Sequence, residues 1–367
     1  MGCLQKQLKI MFKKVIDKTC DSLKNIFSKD KLAYVVEDRS WAVGYVGLKI
    51  VSELNRAGLI CAKIATTPLG LRGKIVHFGS VNTFLRESGF KKIHQSNKAV
   101  ATWFHFIPQD QRNKYIFEAQ KTISFLHTSC FLTKKKLLEF GVKEEKIKVI
   151  PLGIDLNIFK PALQGEKQAL RNKLGIPEGA VVAGSFQKDG VGWGCGFEAK
   201  LIKGPDIFVK SIEKLKKDFP VFALLVGPSR GYIKKELSAR SIPYKHIGFL
   251  ETTEEVAQYY QALDLYLVTS RIEGGPQSIL ESMASGVPLV STKVGMAQDV
   301  IQEGQNGFLA EVENIDEIVK KSGMILSNNA LKTQIISNAL VAARNYSWDK
   351  IASRYFTELY LPLAKKS

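Results

Sequence analysis

Between Leu263 and Ser291 the chain reads LDLYLVTSRIEGGPQSILESMASGVPLVS, and this run constrains the fold more than any other. Leu263 to Thr269 is short, apolar and of strand composition, and the polar, glycine-containing turn Ser270 to Gly275 ends it. Pro276 suits the first position of a helix, where its missing amide hydrogen would have no intrahelical partner. The helix is predicted to run to about Ser285, Gly286 stops it, and Val287 to Ser291 is the next strand. A strand, loop, helix and strand in this order belong to an open α/β sheet, which binds ligands at the carboxyl ends of its strands.

The loop has the character of an anion site. Amides of Gly274, Gly275, Gln277 and Ser278 converge on the helix start, where the helix dipole also favours negative charge, so a phosphate fits there. Glu273 and Glu281 flank that position. Carboxylates repel a phosphate, so they are better explained as acceptors for sugar hydroxyls further along the same ligand. The simpler alternative is that both are solvated charges and Gly275 is only a turn. A nucleoside diphosphate carrying a sugar meets both features at once.

E-x7-E with glycine behind the first Glu, followed by the helix and Ser-Gly-Val-Pro before a strand, closely resembles the nucleotide-sugar motif of the group 1, or family four, GT-B glycosyltransferases. The resemblance implies two Rossmann-like domains facing across a cleft, with a C-terminal helix returning to the N-terminal domain. It also implies a retaining, metal-independent hexosyl transfer in which the nucleotide sugar is a substrate and no cofactor takes part. Glu281 would hold ribose hydroxyls, Glu273 the sugar ring, and Pro276 would open the helix whose amides meet the diphosphate.

At 367 residues two α/β domains are the natural division. No apolar run is long enough for a transmembrane helix, and the first thirty residues lack the uninterrupted apolar core of a signal peptide. Cys3, Cys20, Cys61, Cys130 and Cys195 are scattered and odd in number, which reads as free thiols in a reducing cytoplasm without structural zinc. The formal charge of +18 is uneven: residues 1–152 hold 27 Lys and Arg against 12 Asp and Glu, the remainder 26 against 23. Such a basic face attracts anionic lipid, nucleic acid or a polyanionic substrate, and the sum does not choose among them.

Residues 1–31 place Leu4, Leu8, Met11, Phe12, Val15, Ile16, Leu23, Ile26 and Phe27 near helical spacing, with eight lysines and three aspartates between them. A helix of this kind can lie on an anionic membrane surface, or pack on the domain, or extend without order. Position 6 is Lys, where a myristoylation signal after Gly2 wants Ser or Thr. Residues 32–152 form the predicted N-terminal, acceptor-side domain. Leu32 to Glu37 is its first strand, and a helix is predicted from about Tyr45 to Arg56. Gly44 and Gly47 sit at the turn between them, as in the first loop that faces the acceptor in the family. Their spacing is not G-x-G-x-x-G, which argues against a dinucleotide-dependent dehydrogenase. Short strands follow at Cys61 to Ala65, Lys74 to Phe78 and Lys98 to Trp103, with connections that suggest a trimmed domain.

Ala99 to Phe106 (AVATWFHF) delivers His105 at the end of a strand, either as a packed core histidine or, by resemblance, as the family's interdomain histidine that reaches the donor sugar. His77 ends another strand and is a second acceptor-side candidate beside a structural role. Gln120 to Thr128 is predicted as a strand, and Lys146 to Ile150 as the last of the domain. Ile150 to Pro161 (IPLGIDLNIFKP) closely matches the family's linker into the second domain.

The C-terminal nucleotide-sugar domain is placed at residues 153–345, and the returning helix, YSWDKIASRYFTELY and beyond, at 346–367. Its first strand, Ala180 to Gly184, leads to a glycine-rich insertion, Gly190 to Gly196, expected to be a mobile loop over the donor. Lys203 and Gly204 precede a helix opened by Pro205 and Asp206. A lysine there adds charge of the wrong sign to the helix dipole, a conflict that a bound diphosphate relieves. Lys203 matches the family's diphosphate-clamping lysine. The clamping arginine has no clean counterpart: Lys188 is the nearest cation and Lys200 its competitor, and a lysine lacks the bidentate fork. The reading is a transfer from a nucleotide diphosphate sugar to a glycan or lipid-linked acceptor, in the cytoplasm and peripherally on a membrane if the basic half binds one. The alternatives are a GT-B-like protein that binds a nucleotide sugar without transferring it, and a nucleic-acid-binding protein, for which no recognisable module is present.

Overall fold

The computed structural model describes residues 18–37, 42–86 and 89–365. They form two α/β units: the chain up to Leu152 together with the segment from Trp348 onward, and Gly153–Ser347. The first half of the predicted N-terminal helix and Gly2 lie outside the described residues.

The first unit holds β1 (Leu32–Val35), β2 (Ala62–Ala65), β3 (Ile75–Phe78), a small hairpin of β4 (Leu85–Arg86) and β5 (Gly89–Phe90), then β6 (Lys98–Thr102), β7 (Phe125–Thr128) and β8 (Ile147–Val149). The main sheet is parallel throughout, in the order β2-β1-β3-β6-β7-β8. Parallel strands covered on both faces need near-continuous apolar sequence, and β1 and β3 are buried at every position. The unit has all six strands of such a sheet. Its economy lies in the connections, since residues 66–74 join β2 to β3 without a helix.

Two sequence expectations change here. The first helix runs over Ala42–Arg56, so Gly44 and Gly47 lie inside it rather than in the preceding turn. A Cβ at Gly47 would stand 2.7 Å from the Tyr34 ring, so glycine lets this helix lie close on β1. The strand predicted over Gln120–Thr128 is divided between a helix, Ile116–Thr122, and β7. Gln120 is buried on that helix, where its side chain donates to the Gly141 carbonyl at 3.1 Å and accepts from the Lys143 amide at 3.0 Å.

The C-terminal segment packs in this unit as a helix, Trp348–Tyr355, followed by a π-helical turn, Phe356–Tyr360. Residues five apart on an α-helix point about 140° away from one another. The wider π turn brings Tyr355 and Tyr360 to one face, over two buried histidines. The Tyr360 hydroxyl meets His77 Nδ1 at 2.6 Å, His77 Nε2 meets Thr102 Oγ1 at 2.8 Å, and Thr102 Oγ1 meets His127 Nδ1 at 2.9 Å. His127 Nε2 donates to the Ile150 carbonyl at 2.9 Å. Complete burial is the main cause that depresses both histidines. His77 lies well below the ordinary range, with His127 adding repulsion, and His127 is lowered to about 4.

The second unit holds β9 (Val181–Phe186), β10 (Val221–Val226), β11 (Tyr244–Ile247), β12 (Leu265–Val268), β13 (Leu289–Thr292) and β14 (Phe308–Ala310), all parallel, in the order β11-β10-β9-β12-β13-β14. The helix Pro205–Leu215 buries Ile207, Phe208, Ile212 and Leu215 against this sheet. Each such side chain contributes roughly 1.5–3 kcal/mol. Strand order reverses between β9 and β12, so the crevice outside their carboxyl ends is where this topology takes a ligand.

The buried histidines set an acid limit on the first unit. Both stay neutral when folded, so below about pH 6.5 the unfolded chain binds protons that the native one cannot. Stability is expected to be complete above that pH and to fall toward pH 4. In urea titrations at stepped pH, His127→Gln should flatten this decline; an unchanged slope would refute the assignment.

Candidate functional site

The loops after β9 and β12 are bound to each other by backbone. Gly204 adopts φ +63°, and a Cβ there would lie 1.8 Å from the Thr269 carbonyl oxygen. Thr269 Oγ1 donates to the Gly204 carbonyl at 2.8 Å. The Arg271 amide donates to the Ile202 carbonyl at 2.8 Å. The Arg271 guanidinium grips both oxygens of Asp206 at 2.8 Å and the Leu201 carbonyl at 2.7 Å. Lys203 closes a single 3-10 turn, Leu201–Lys203, ahead of the helix that Pro205 opens.

These contacts bring Lys203 onto Glu273: its ammonium is paired with Glu273 Oε1, which also accepts from Ser270 Oγ at 3.1 Å. Lys200 is held below the ordinary lysine range, chiefly by burial and then by the charges of Lys203 and Lys188, with Glu273 opposing. Lys200 thus lies near two further ammonium groups and a single carboxylate, and the excess positive charge suits an anion. Lys188 lies 4.6 Å from the Trp193 ring centroid, a cation–π contact.

The helix after β12 spans Gln277–Ala284, with Pro276 as its N-cap, one position earlier in the motif than predicted. No side chain caps it, so the amides of Gln277 and Ser278 open the helix without an intrahelical acceptor, beside Gly274 and Gly275. Gly295 has φ +48°, and a Cβ on it would come within 2.2 Å of the Gly274 carbonyl oxygen, so the β13 loop holds this turn from behind. The side-chain amide of Gln277 reaches the Gly153 carbonyl at 3.4 Å. Glu281 projects among Tyr260, Tyr266 and Phe186, where it accepts from the Tyr260 hydroxyl at 2.8 Å. Burial raises its pKa to about 7, with the Tyr260 hydrogen bond opposing.

The glycine-rich insertion is anchored rather than loose. The amides of Gly231 and Tyr232 donate to the carbonyls of Cys195 and Gly196 at 2.7 and 2.8 Å, and Ser229 Oγ reaches the Gly194 carbonyl at 3.0 Å. A Cβ at Gly190 or Gly196 would run into the Ser229 carbonyl, so only glycine permits this docking. Beneath it lies Arg230, fully buried, donating to the carbonyls of Ser185 and Gln187 at 2.8 Å and of Val226 at 3.0 Å. Its Nε stands 3.0 Å from Oδ1 of the equally buried Asp189, too far off line for a hydrogen bond. Burial pushes the Asp189 carboxyl up, and Arg230 opposes that shift. The sequence search for a cation beside β9 missed Arg230 because it lies 41 residues past Asp189; its only sequence signal is its position after the glycine that ends β10.

In the first unit, His105 lies three residues beyond β6, half-buried, and its charge helps to lower the Asp110 carboxyl after the larger effects of Arg112. His77 is completely buried in the tyrosine–histidine network and has no surface for an acceptor, which corrects its acceptor-side assignment. Gly44 is buried in the first turn of its helix. Strand order in this sheet reverses between β1 and β3, where Glu37 accepts from Ser80 Oγ at 2.7 Å and Asn82 Nδ2 at 3.0 Å. These three polar residues occupy the position that the sequence reading gave to His77 and the glycines.

Residues 198–341 match the profile of the family Glycosyl transferases group 1. Residues 198–341 of the second unit are a glycosyl transferases group 1 domain. The chain is 25% identical over 228 residues to a D-inositol 3-phosphate glycosyltransferase of Xylanimonas cellulosilytica, an alignment covering 58% of this chain and 51% of that protein. It thus spans about half the length of the curated relatives it matches. Anabaena HepE, solved with UDP-glucose, superposes with a TM-score of 0.71 at 17% identity over 92% of this chain and all of HepE. Sucrose-phosphate synthase from Thermosynechococcus elongatus gives 0.72 at 15% identity, again over 92% of this chain and all of its own. The fold is GT-B, and its group 1 domain carries the Lys203–Glu273 pair and the uncapped helix start at the switch point of its sheet.

Two measurements check the second unit's buried charges. Because folding raises the pKa of Glu281 from 4.5 to about 7, the folded state holds a proton the unfolded one has lost between those values, so stability falls as pH rises through that window. Glu281→Gln should remove this slope and stabilise the protein at pH 8 by up to about 3 kcal/mol in urea titrations; a slope identical to wild type would exclude the burial. Arg230→Met leaves Asp189 buried without its partner and should cost about 3–5 kcal/mol, largely restored in Arg230→Met/Asp189→Leu. Additive losses in that double variant would show that the pair is not coupled.

Proposed function

We propose that this protein is a metal-independent, retaining glycosyltransferase that moves a hexosyl-type unit from a nucleoside diphosphate sugar to a glycan or lipid-linked acceptor. The observation that carries the proposal is the meeting of Lys203, Glu273 and the uncapped Gln277 helix start at the switch point of the second sheet. The departing diphosphate must be stabilised as charge develops on it, and fixed cations and dipoles aimed at that position are the usual means. Lys203 and the amides from Gly274 to Ser278 supply them, with Lys188 as the further cation.

Without ligand, Lys203 and Glu273 neutralise each other. A diphosphate competes for the ammonium and frees the Glu273 carboxylate for sugar hydroxyls. Glu281, on the helix that Gln277 opens and a hydrogen-bond acceptor for Tyr260, is the proposed ribose contact. His105 is the proposed contact from the first unit to the donor sugar. No second carboxylate is in evidence as a covalent nucleophile, so a glycosidase-type double displacement is not the mechanism we favour. A uridine donor is the first to test, since HepE was solved with UDP-glucose. Among the described residues Cys20, Cys61, Cys130 and Cys195 form no disulfide, which supports a reducing, cytoplasmic setting.

Titration calorimetry with UDP-sugars checks the site. Lys203→Ala and Glu281→Ala should fold yet bind the donor about tenfold to a hundredfold more weakly, a loss of roughly 1.4–2.8 kcal/mol. Wild-type affinity in both would sink the donor assignment. Binding intact in the wild type, with no transfer to any acceptor and no donor hydrolysis, would leave a nucleotide-sugar-binding protein instead.

A further inference from the structure

Residues 18–26 form a helix whose orientation on the first unit is the reverse of what amphipathicity dictates for a packed helix. Its polar side faces the protein. Asn25 is buried, its Nδ2 donating to the carbonyls of Thr67 at 3.0 Å and Leu69 at 2.8 Å. Asp21 accepts from the Thr66 amide at 2.9 Å and the Thr66 hydroxyl at 2.8 Å. Gly70 packs so close that a Cβ would stand 2.5 Å from the Ser22 carbonyl oxygen. The apolar side faces outward: Leu23, Ile26 and Phe27 are 57%, 60% and 82% exposed, and Leu69, from the turn the helix rests on, is 62% exposed.

The charges are sorted in the same way. Asp21 is spent on Thr66, and Asp30 accepts from Ser28 Oγ at 2.6 Å and meets the Cys61 thiol at 3.2 Å, with Lys63 and Lys74 near it. Lys18, Lys24 and Lys29 are exposed around the apolar residues. An outward face of Leu, Ile and Phe bordered by lysines has the composition of a helix that lies in the headgroup region of a bilayer. Each lysine near an anionic surface adds attraction, whereas a second copy of the same face would bring like charges together. Among the described residues no helix is long and apolar enough to cross a membrane, so contact through this face is peripheral.

We propose that the helix at residues 18–26 and Leu69 form a docking surface for an anionic lipid bilayer, with Leu23, Ile26, Phe27 and Leu69 entering the headgroup region and Lys18, Lys24 and Lys29 pairing with lipid phosphates. This surface lies in the first unit and does not depend on the donor reading of the second. It sets where the protein meets a lipid-linked acceptor, if that is the acceptor class.

Co-sedimentation of the full chain with vesicles of phosphatidylcholine alone, and of phosphatidylcholine with phosphatidylglycerol, tests it. Wild type is expected to bind the anionic vesicles, to bind the neutral ones at least about tenfold more weakly, and to lose binding at high salt. Ile26→Asp/Phe27→Asp and Lys18→Glu/Lys24→Glu/Lys29→Glu should each lose about tenfold or more while keeping wild-type circular dichroism and nucleotide affinity. A variant lacking residues 1–17 should still bind anionic vesicles. Wild-type binding by both substituted proteins, loss of all binding on removal of 1–17, or a wild-type dimer that Ile26→Asp/Phe27→Asp dissociates would each overturn the proposal. Unchanged calorimetry in the substituted proteins separates this outcome from a failure of the donor site.

Discussion

The site depends on one close backbone contact. Gly204 lies against the Thr269 carbonyl at a distance no side chain tolerates, and in a conformation that favours glycine. It fixes the end of the β9 loop to the end of β12, and Arg271 on Asp206 and Leu201 repeats the attachment. Lys203 precedes Gly204 and Glu273 follows Arg271 by two positions, so the ion pair between them is a product of this clasp. The backbone that carries these charged groups is thereby held in place at the switch point.

Buried ionisable groups do different work in the two units. In the first, neutral His77 and His127 join three strands to the returning C-terminal segment, and the π turn at Phe356–Tyr360 lets two tyrosines serve that network. In the second, Glu281 and the Asp189–Arg230 pair lie beside the loops that form the site. The two histidines lose stability in acid and Glu281 loses it in the neutral range, because the buried form is neutral in each but a histidine becomes charged by gaining a proton and a carboxyl by losing one. The Gly231 and Tyr232 amides and the Ser229 hydroxyl hold the backbone of the glycine-rich insertion in place, which explains a loop that has neither helical nor strand pattern yet is anchored.

Much of the fold was legible because parallel strands and amphipathic helices write themselves into composition. β10 is apolar at six successive positions and buried at all of them. The Glu273–Glu281 motif was legible because strand, turn and helix start are local features. The division of Gln120–Thr128 was not, since Gln120 is ordered by Gly141 and Lys143, which lie further along the chain. The role of His77 was equally hidden: a histidine at a strand end has the same local sequence whether it faces solvent or Tyr360, 283 residues away.

The sequence by itself determined the alternation of strands and helices, the glycine-containing turn before a helix start that no side chain caps, and the mismatch of a lysine at the start of the Pro205 helix, since each follows from neighbours within a few residues. Only the tertiary structure decided that Lys203 reaches Glu273, that Arg230 is buried beneath the insertion, that His77 is sealed, and that the helix at residues 18–26 turns its apolar side to solvent. These depend on contacts between segments tens to hundreds of residues apart. Hydrophobic pattern sets which residues prefer burial, but which partner covers them is fixed by how the packed elements meet.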